Sequence, residues 1–563
     1  MAVNMQYLRA NFISIVTLLL VSGMAYFGSR VISNSPGMSI GGWIFGLAPV
    51  IAAVLIIAFI KLGSQAGCDL STFFEFPRHG LNLRVLLMIS LTAAVTCGFI
   101  LLNPFGLTMP TFIGIIVFLI VMSVSMITKD KMVDAVGLLL IALPFATYAE
   151  FEIVKLTDFD SGWITIKVAI ILFFAFIWAV FNFIVLKKNI KKERFHILIL
   201  IFASATLLSA VFSADIIYSL KRWLFEITYP IVIYFILINS LKSWGDVRKF
   251  LSYLIGSVFL NLIMVMYYFV KYGSEGVDND YVLNLGFASG VLIAEVLIMI
   301  IPIIFAFLAT EKEKTRKMLY FFLIILGVTG LAVSFSRMPQ ISMVLGLMAL
   351  FFIRATRKYV IIALVLALLV GAFHVKKLTP FYSKYYELTT FNSVIYAPSM
   401  EKRYGGWEAA AAMFQDRPLT GVGIGRFNQE YGNYGVLYYS PWARGYVPMI
   451  SAHNMYINFL AETGIPGVLS LSGVLFYIIL SGLGFIRRAG EKRVFAYALL
   501  LSVIMFLWNN LVSGTVFAYV KEIDKGLVFW SITAVIMSCG VIREDTDSPG
   551  SAGLLPAGYG PNV

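Results

Sequence analysis

Apolar runs of about 20 residues recur along nearly the whole of this chain, each closed by a cluster of charged, glycine or proline residues. A run of that length, wound as a helix, covers the hydrocarbon core of a bilayer. The chain is 563 residues long, 60% hydrophobic and only 13% charged, with a mean hydropathy of +0.88. Soluble domains carry about 25% charged and 45–50% apolar residues. One aqueous core could not hide this much apolar surface, so lipid must be the solvent. The expected fold class is an all-α polytopic membrane protein.

Taking charged clusters as punctuation places spans near Asn11–Gly28, Gly41–Ile60, Val85–Leu102, Met109–Ile127, Met132–Tyr148, Trp163–Leu186, Ile197–Phe212 and Leu224–Leu241. Further spans fall near Leu251–Val270, Tyr281–Ala309, Met318–Phe335, Ile341–Ile353, Val360–Phe373, Met455–Ile486, Val494–Leu511 and Gly526–Val541. Ile341–Ile353 is short, and Met455–Ile486 is long enough to tilt or to begin outside the bilayer.

Lys and Arg in short loops set the orientation. One face collects Lys129, Lys131, LKKNIKKER, Lys242, Arg248, Lys249, EKEKTRK, RATRK and RRAGEKR, while the other holds the acidic AEFEIVKLTDFD and GSEGVDND. The alternation stays in phase and predicts both termini inside and the segment from His374 to His453 outside. The formal charge of +13 is mostly this topology signal, and its placement in short loops argues against a nucleic-acid partner. The first apolar run lacks a small-residue cleavage site and reads as a signal anchor. Cys68, Cys97 and Cys539 have neither metal-ligand nor disulfide spacing. The Gly/Pro/Ser-rich tail at 544–563 reads as disordered. No solenoid-type repeat or inverted repeat is evident. The expected divisions are N-terminal spans of unassigned role at 1–194, a transmembrane core at 195–373, an outer loop at 374–453, and C-terminal spans at 454–543.

The outer loop is the only sizeable segment expected outside the membrane. Its EKRYGGWEAAAAMFQDRPLTG stretch predicts an amphipathic helix, with Trp407, Ala411 and Phe414 on one face and Arg417-Pro418 ending it. GVGIGRFNQEYGNYG follows, glycine-punctuated and aromatic, and lacks the spacing and the preceding strand of a dinucleotide loop. Its glycines are expected in tight turns with positive φ. The loop is too small for a soluble-domain core and must pack onto helix ends. The aromatics of YGVLYYSPWARGY could stack on sugar rings or anchor at the lipid interface.

His453 and Asn454 open HNMYINFLAETGIPG at the lip of a long apolar run. With RYGGW and DRPLTGVGIGRF upstream, this element resembles the O-antigen ligase and polymerase superfamily of membrane glycosyltransferases. The matched residues are Arg403, Trp407, Pro418, Gly421, Gly423, Phe427, His453, Asn454, Tyr456, Leu460, Glu462, Gly464 and Gly467. Ser336-Arg337 fits a Ser-Arg element at the outer end of a helix, although Met338-Pro339 follows where the family has a small residue. Lys221-Arg222 fits a basic element outside an earlier helix. The resemblance spans roughly Phe195 to Leu511.

The resemblance implies a GT-C-like bundle of about 14–16 transmembrane helices in the bacterial inner membrane, with its active site facing the periplasm. It also implies an inverting, metal-independent and cofactor-free transfer from an undecaprenyl-diphosphate-linked glycan. The acceptor would be a lipid-linked repeat unit (polymerase), lipid A core (ligase) or protein (oligosaccharyltransferase), and the extra front spans favour a polymerase. Chain-length regulators and export proteins are candidate partners. His453 would be the base; Arg222, Arg337 and Lys221 would hold the diphosphate; Arg403, Asn454, Tyr456 and Trp407 would orient substrate. Glu462, Gly464, Gly467, Gly421 and Gly423 would be structural.

Elementary chemistry agrees. A departing lipid diphosphate gathers negative charge, which an arginine fork meets bidentately, and histidine titrates near neutrality. Each residue also has a plainer reading: helix cap for His453, snorkelling for Arg337, topology charge for Arg222 and solvated surface for Arg403. His79, His196 and His374 fit only plainer readings. Glu295, in the middle of a span, is either functional or paired. A flippase or an envelope scaffold would need neither the His-Asn lip nor the outer loop.

Overall fold

The computed structural model describes residues 131–143, 166–272, 290–374, 398–511 and 523–541, with short gaps inside these ranges, and scattered positions between 119 and 127. The expected spans at Asn11–Gly28, Gly41–Ile60 and Val85–Leu102, most of Met109–Ile127, Cys68, His79, Cys97, loop residues 375–397 and the tail at 544–563 lie outside the described residues.

The described chain is almost wholly helical. Its elements are α1 (Met132–Leu143), α2 (Ile166–Ala179), α3 (Arg194–Val211), α4 (Ile216–Trp223), α5 (Tyr229–Ser240), α6 (Trp244–Tyr272), α7 (Gly290–Thr310) and α8 (Lys314–Val333). They continue with α9 (Arg337–Phe352), α10 (Arg357–His374), α11 (Pro398–Asp416), α12 (Phe427–Tyr434), α13 (Met455–Arg488), α14 (Arg493–Asn509) and α15 (Ile523–Val541). Two π-helical segments, Val180–Val185 and Leu224–Thr228, interrupt the α-helical winding. Arg194–Val211, Ile216–Ser240, Ile293–Thr310 and Met455–Arg488 are long and apolar enough to cross a bilayer, and several shorter helices are as apolar. The protein is a multi-pass, all-helical membrane protein.

Burial follows the residue pattern. α7 is apolar on every side and lies at the centre, with Ile298 to Phe307 fully buried wherever the side chain is apolar. On α3, Phe195, Ile199, Phe202, Thr206 and Ser209 form the buried stripe, three and four residues apart. Its opposite face exposes Ile197, Leu200, Ile201 and Leu208, the surface a lipid-facing helix needs.

Two contacts fix the direction of the central pair. The Ser502 hydroxyl donates to the Met299 carbonyl at 2.5 Å, and the Phe307 and Phe495 rings meet edge-on at 5.0 Å. The contacts descend α7 while ascending α14, so the two helices are antiparallel. α8 returns along α7, and α9 starts at the end of the bundle where α14 finishes; Gly346 of α9 lies against Met505 of α14. Arg337, the first residue of α9, and Asn509, the last of α14, therefore share one end of the molecule.

Glu295 has a partner inside the bundle: Lys525 of α15 donates to its carboxylate at 2.8 Å, and both side chains are almost fully buried. A second buried carboxylate, Asp134, is met by Lys249 at 2.8 Å and by the Tyr253 hydroxyl at 2.9 Å.

The outer loop departs from the expected picture in two ways. α11 ends at Asp416, before Arg417-Pro418, but its buried face is Gly406, Ala409, Ala410 and Met413, while Ala411 is exposed and Trp407 and Phe414 are half-buried. Small residues were chosen for that face because α11 lies close against α13. The rest of the loop is also more regular than its glycines suggest, with α12 and a hairpin pairing β1 (Tyr438–Ser440) with β2 (Gly445–Val447). A small separate core of Ala409, Ala410, Met413, Val422, Phe427, Tyr431, Met449 and Ala452 closes onto Ala461 of α13. The loop thus packs on a helix end.

Replacing Lys525 by Met leaves the Glu295 carboxylate buried without its cation, an expected cost of about 3–5 kcal/mol. Glu295→Leu combined with Lys525→Met recovers most of it. The melting temperatures of the purified proteins in one detergent check both; equal loss in the single and double variants contradicts the pairing.

Candidate active site

The site is built around a broken turn in α13. Gly464 has φ 65° and ψ −167°, a conformation outside the helical region and open mainly to glycine. Two residues later Pro466 has no N–H to give. A continuous helix would bond Ile465 N–H to Ala461 C=O and the next N–H to Glu462 C=O. Here Ile465 N–H donates instead to Pro418 C=O at 2.9 Å. The freed Ala461 carbonyl accepts from Val422 N–H at 3.0 Å. The freed Glu462 carbonyl accepts from Gly423 N–H at 3.1 Å and from the Ser209 hydroxyl of α3 at 2.7 Å. The stretch from Pro418 to Gly425 is thereby stitched into the break, which accounts for both glycine-rich motifs together.

The loop glycines serve this close approach. Gly421 has φ 67°, and a Cβ there would lie 2.2 Å from the Glu462 carbonyl carbon. Gly425 has φ 74°, with the Arg222 side chain against it; a Cβ would lie 2.5 Å from Arg222 Nε. Gly423 faces Ser213 and Ser219 with φ 114°. Gly467 has Thr463 against it.

Beneath the loop lies a group of charges. Arg222, in the last turn of α4, is buried and ion-paired with Glu226. The π-helical turn Leu224–Thr228, closed by Tyr229 N–H to Leu224 C=O, carries that Glu226. Trp223 anchors the turn by donating from Nε1 to Ala203 C=O and Thr206 Oγ1, both at 3.1 Å. Glu462 is buried; its carboxylate accepts from Phe427 N–H at 3.1 Å, and the Gly425 N–H, the Asn458 side chain and Arg222 are close by. Arg426 pairs with Glu430, and with Asp215 at 3.9 Å. Lys221 is half-buried on the same turn as Arg222.

His453 stands at the start of α13, half-buried, with φ 49°. A non-glycine residue in the left-handed region is uncommon and is held only by surrounding structure. The restraints are visible here. His453 N–H donates to Ser451 Oγ at 3.3 Å, and Ala452 N–H donates to Asn458 Oδ1 at 2.9 Å. Asn454 is the N-cap of α13; its Oδ1 accepts from Tyr456 and Ile457 N–H at 3.0 and 3.1 Å. Met455 N–H donates to Asn510 C=O at 2.9 Å, and the Tyr456 hydroxyl donates to Leu507 C=O at 3.2 Å, docking the lip on the end of α14.

α11 covers the lip. A Cβ on Gly406 would lie 3.3 Å from Ala452 Cα, so this helix runs over the residues just before His453. It carries Arg403 and Trp407, the latter edge-on to Tyr404 at 5.4 Å with its indole N–H buried and not bonded to any of the described residues. Arg337 begins α9 at the same end of the bundle.

The structure therefore gathers Arg222, Lys221, Gly421, Gly423, Glu462, Gly464 and Gly467 around the broken turn, and His453, Asn454, Arg403 and Trp407 around the lip. The Tyr456 hydroxyl is engaged with the backbone of α14, and Asn454 Oδ1 with the first turn of its own helix. Sequence reading missed Glu226, Arg426, Asn458 and Asn509, the last fully buried at the end of α14 with neither amide atom bonded to any of the described residues. For Asn458 a signal existed: Asn454, Asn458 and Glu462 recur every four residues, one face of a helix. Among the described residues no cluster of His, Cys, Asp and Glu has the makings of a metal site. His196 is a helix-start residue whose Nδ1 meets Glu193 N–H at 3.4 Å.

Residues 321–472 match the family model described as O-Antigen ligase. Comparison with curated proteins gives no match. The matched segment is a little over a quarter of the chain and runs from within α8 through the outer loop to just beyond the broken turn, taking in Arg337, Arg403, His453 and Glu462 but not Arg222. It supports an O-antigen ligase or polymerase type of function, with a lipid-linked glycan and a glycan acceptor as substrates in general.

Gly421→Ala is expected to destabilise the protein by about 2 kcal/mol or more, through its positive φ and the clash with α13 backbone. Gly473→Ala, whose Cβ would meet only Leu198 at 4.0 Å, is expected to be neutral. Melting temperatures of the two variants against the parent check the contrast.

Proposed function

We propose that the protein is an inverting glycosyltransferase that takes an undecaprenyl-diphosphate-linked glycan as donor at the outer face of the bacterial inner membrane and elongates a lipid-linked repeat unit. The observation that carries this reading is the arrangement of the broken turn. It ties the left-handed His453 lip and the loop over Arg222 to one short stretch of α13.

In this reading His453 takes the proton of the acceptor hydroxyl as its oxygen attacks the anomeric carbon. The bond from that carbon to the diphosphate breaks on the opposite face, so the configuration inverts and the undecaprenyl diphosphate leaves. Arg222, Lys221 and Arg337 meet the charge growing on the diphosphate. The planar guanidinium fork of Arg222, ion-paired with Glu226, is the kind of group that binds phosphate oxygens bidentately. Trp407 and Arg403, on the helix that covers the lip, orient the incoming sugar, and Asn454 fixes the lip as a cap. No metal step is required, because the cations are side chains. The termini would lie in the cytoplasm, where the basic loops face.

The ligase reading has one specific support, the description of the matching family model; the spans before residue 195 favour the polymerase. Both place the same residues in the same roles and differ in acceptor. A flippase would move the donor without breaking a bond.

His453→Ala in cells that make the native glycan is expected to lower transfer by about a hundredfold or more while folded protein remains at parental amounts. Analysis of the lipid-linked pool should show accumulated undecaprenyl-linked donor and lost product. Unchanged product excludes the proposal, and loss of donor from the outer leaflet points to a flippase. Long glycan on undecaprenol in the parent strain identifies a polymerase, and glycan on lipid A core a ligase.

A further inference from the structure

His453 and Arg222 are separated by 231 positions, yet a continuous chain of polar contacts connects their surroundings. Ala452, the neighbour of His453, donates its N–H to Asn458 Oδ1 at 2.9 Å. With its oxygen so used, the Asn458 amide lies one helical turn before the buried Glu462 carboxylate on the same face of α13, where the two side chains interact. That carboxylate accepts Phe427 N–H at 3.1 Å, with the Gly425 N–H and the Arg222 charge close by. The Gly425 backbone in turn faces the Cβ, Cγ and Nε of Arg222, which is ion-paired with Glu226. Asn458 and Glu462 are both 5% exposed.

Packing alone would not call for such residues. A buried carboxylate is unfavourable unless partners offset it, and here Phe427 N–H donates to it, with the Gly425 N–H, the Asn458 amide and the Arg222 charge close by. Every link is directional. The amide must accept at one end and donate at the other, and the carboxylate must accept from all sides. A chain of alternating acceptors and donors fixes distances in a way that apolar contacts do not. The i, i+4 spacing on α13 then makes the helix itself the ruler between the two ends.

We infer that Asn458 and Glu462 are positioning residues, a polar strut that sets the separation between His453 as base and Arg222 as the diphosphate-binding cation. The inference rests on the glycosyltransferase reading above. It assigns these two side chains a part in the reaction without contact with substrate: Asn458 holds the lip from below, and Glu462 holds both Arg222 and the loop that lies on it.

The test exchanges the two polarities in the full-length protein in nanodiscs, with a purified undecaprenyl-diphosphate-linked repeat unit as donor. Asn458→Asp sets a carboxylate against Glu462, and Glu462→Gln sets an amide NH2 against the donors around it. Each single variant is expected to lose about tenfold or more in kcat. The exchanged pair, Asn458→Asp with Glu462→Gln, restores acceptor-to-donor alternation along the strut and is expected to regain most of that loss. Single variants with parental kcat overturn the inference, as do losses that simply multiply in the pair. If the singles do not fold, the pair decides: folded protein with kcat restored per folded molecule supports the inference, and folded protein without kcat overturns it. Parent and His453→Ala measured alongside separate the two levels. An inactive parent, or an active His453→Ala, removes the glycosyltransferase reading and the strut with it, whereas silent strut variants beside an inactive His453→Ala remove the strut alone.

Discussion

A helix that is interrupted near the end of a membrane span leaves carbonyl groups that neither water nor lipid can satisfy cheaply, and the outer half of this protein is organised around one such interruption. Gly464 breaks α13 and Pro466 withholds a donor, so the carbonyls of Ala461 and Glu462 need new partners. An unsatisfied buried carbonyl costs about 1–3 kcal/mol. Val422, Gly423 and Ser209 supply the missing donors, and Ile465 finds its acceptor in Pro418. The loop is thereby seated on the helix and on α3 at once.

That seating explains why residues far apart in the chain meet. Once the Pro418–Gly425 stretch is fixed, Gly425 lies on Arg222, α12 begins under the Glu462 carboxylate, and the small core around Met413 and Phe427 pulls α11 down over the lip. The lip is held independently from the other side, where α14 ends against Met455 and Tyr456. The segment that matches the O-Antigen ligase family model contains the loop, the lip and the broken turn, while α3 and α4, which complete the arrangement, precede it.

Much of the scaffold was legible in the sequence because lipid imposes one rule on every span. The apolar runs at Leu251–Val270, Met455–Ile486 and Val494–Leu511 correspond to α6, α13 and α14 within a few residues at most ends. Charge pattern predicted the phase of the spans, but not that Glu295 and Lys525 would be partners, since their pairing depends on which helices adjoin. The same limit applied to the site. His453 stood out by residue type and position, and the glycines by their density. What each glycine accommodates was hidden, because the approaching atoms belong to Glu462 and Arg222, which are distant in sequence. The buried face of α11 was misjudged for a related reason. Apolar spacing put Trp407, Ala411 and Phe414 on one face, whereas the buried face is that of Gly406, Ala409 and Ala410, where the helices approach closely. The hairpin of β1 and β2 gave no clear signal, its strands being three residues each.

The central claim is that the loop, the lip and the end of α4 form a single site for a lipid-borne diphosphate sugar. A cryo-electron microscopy structure of the full-length protein in nanodiscs, with an undecaprenyl-diphosphate-linked glycan bound, tests it most directly. The account predicts diphosphate density beside Arg222 and the first turn of α9, with the sugar under α11 and its anomeric carbon facing His453. Donor density in the middle of the bundle, between α7 and α15 and away from His453, would contradict it.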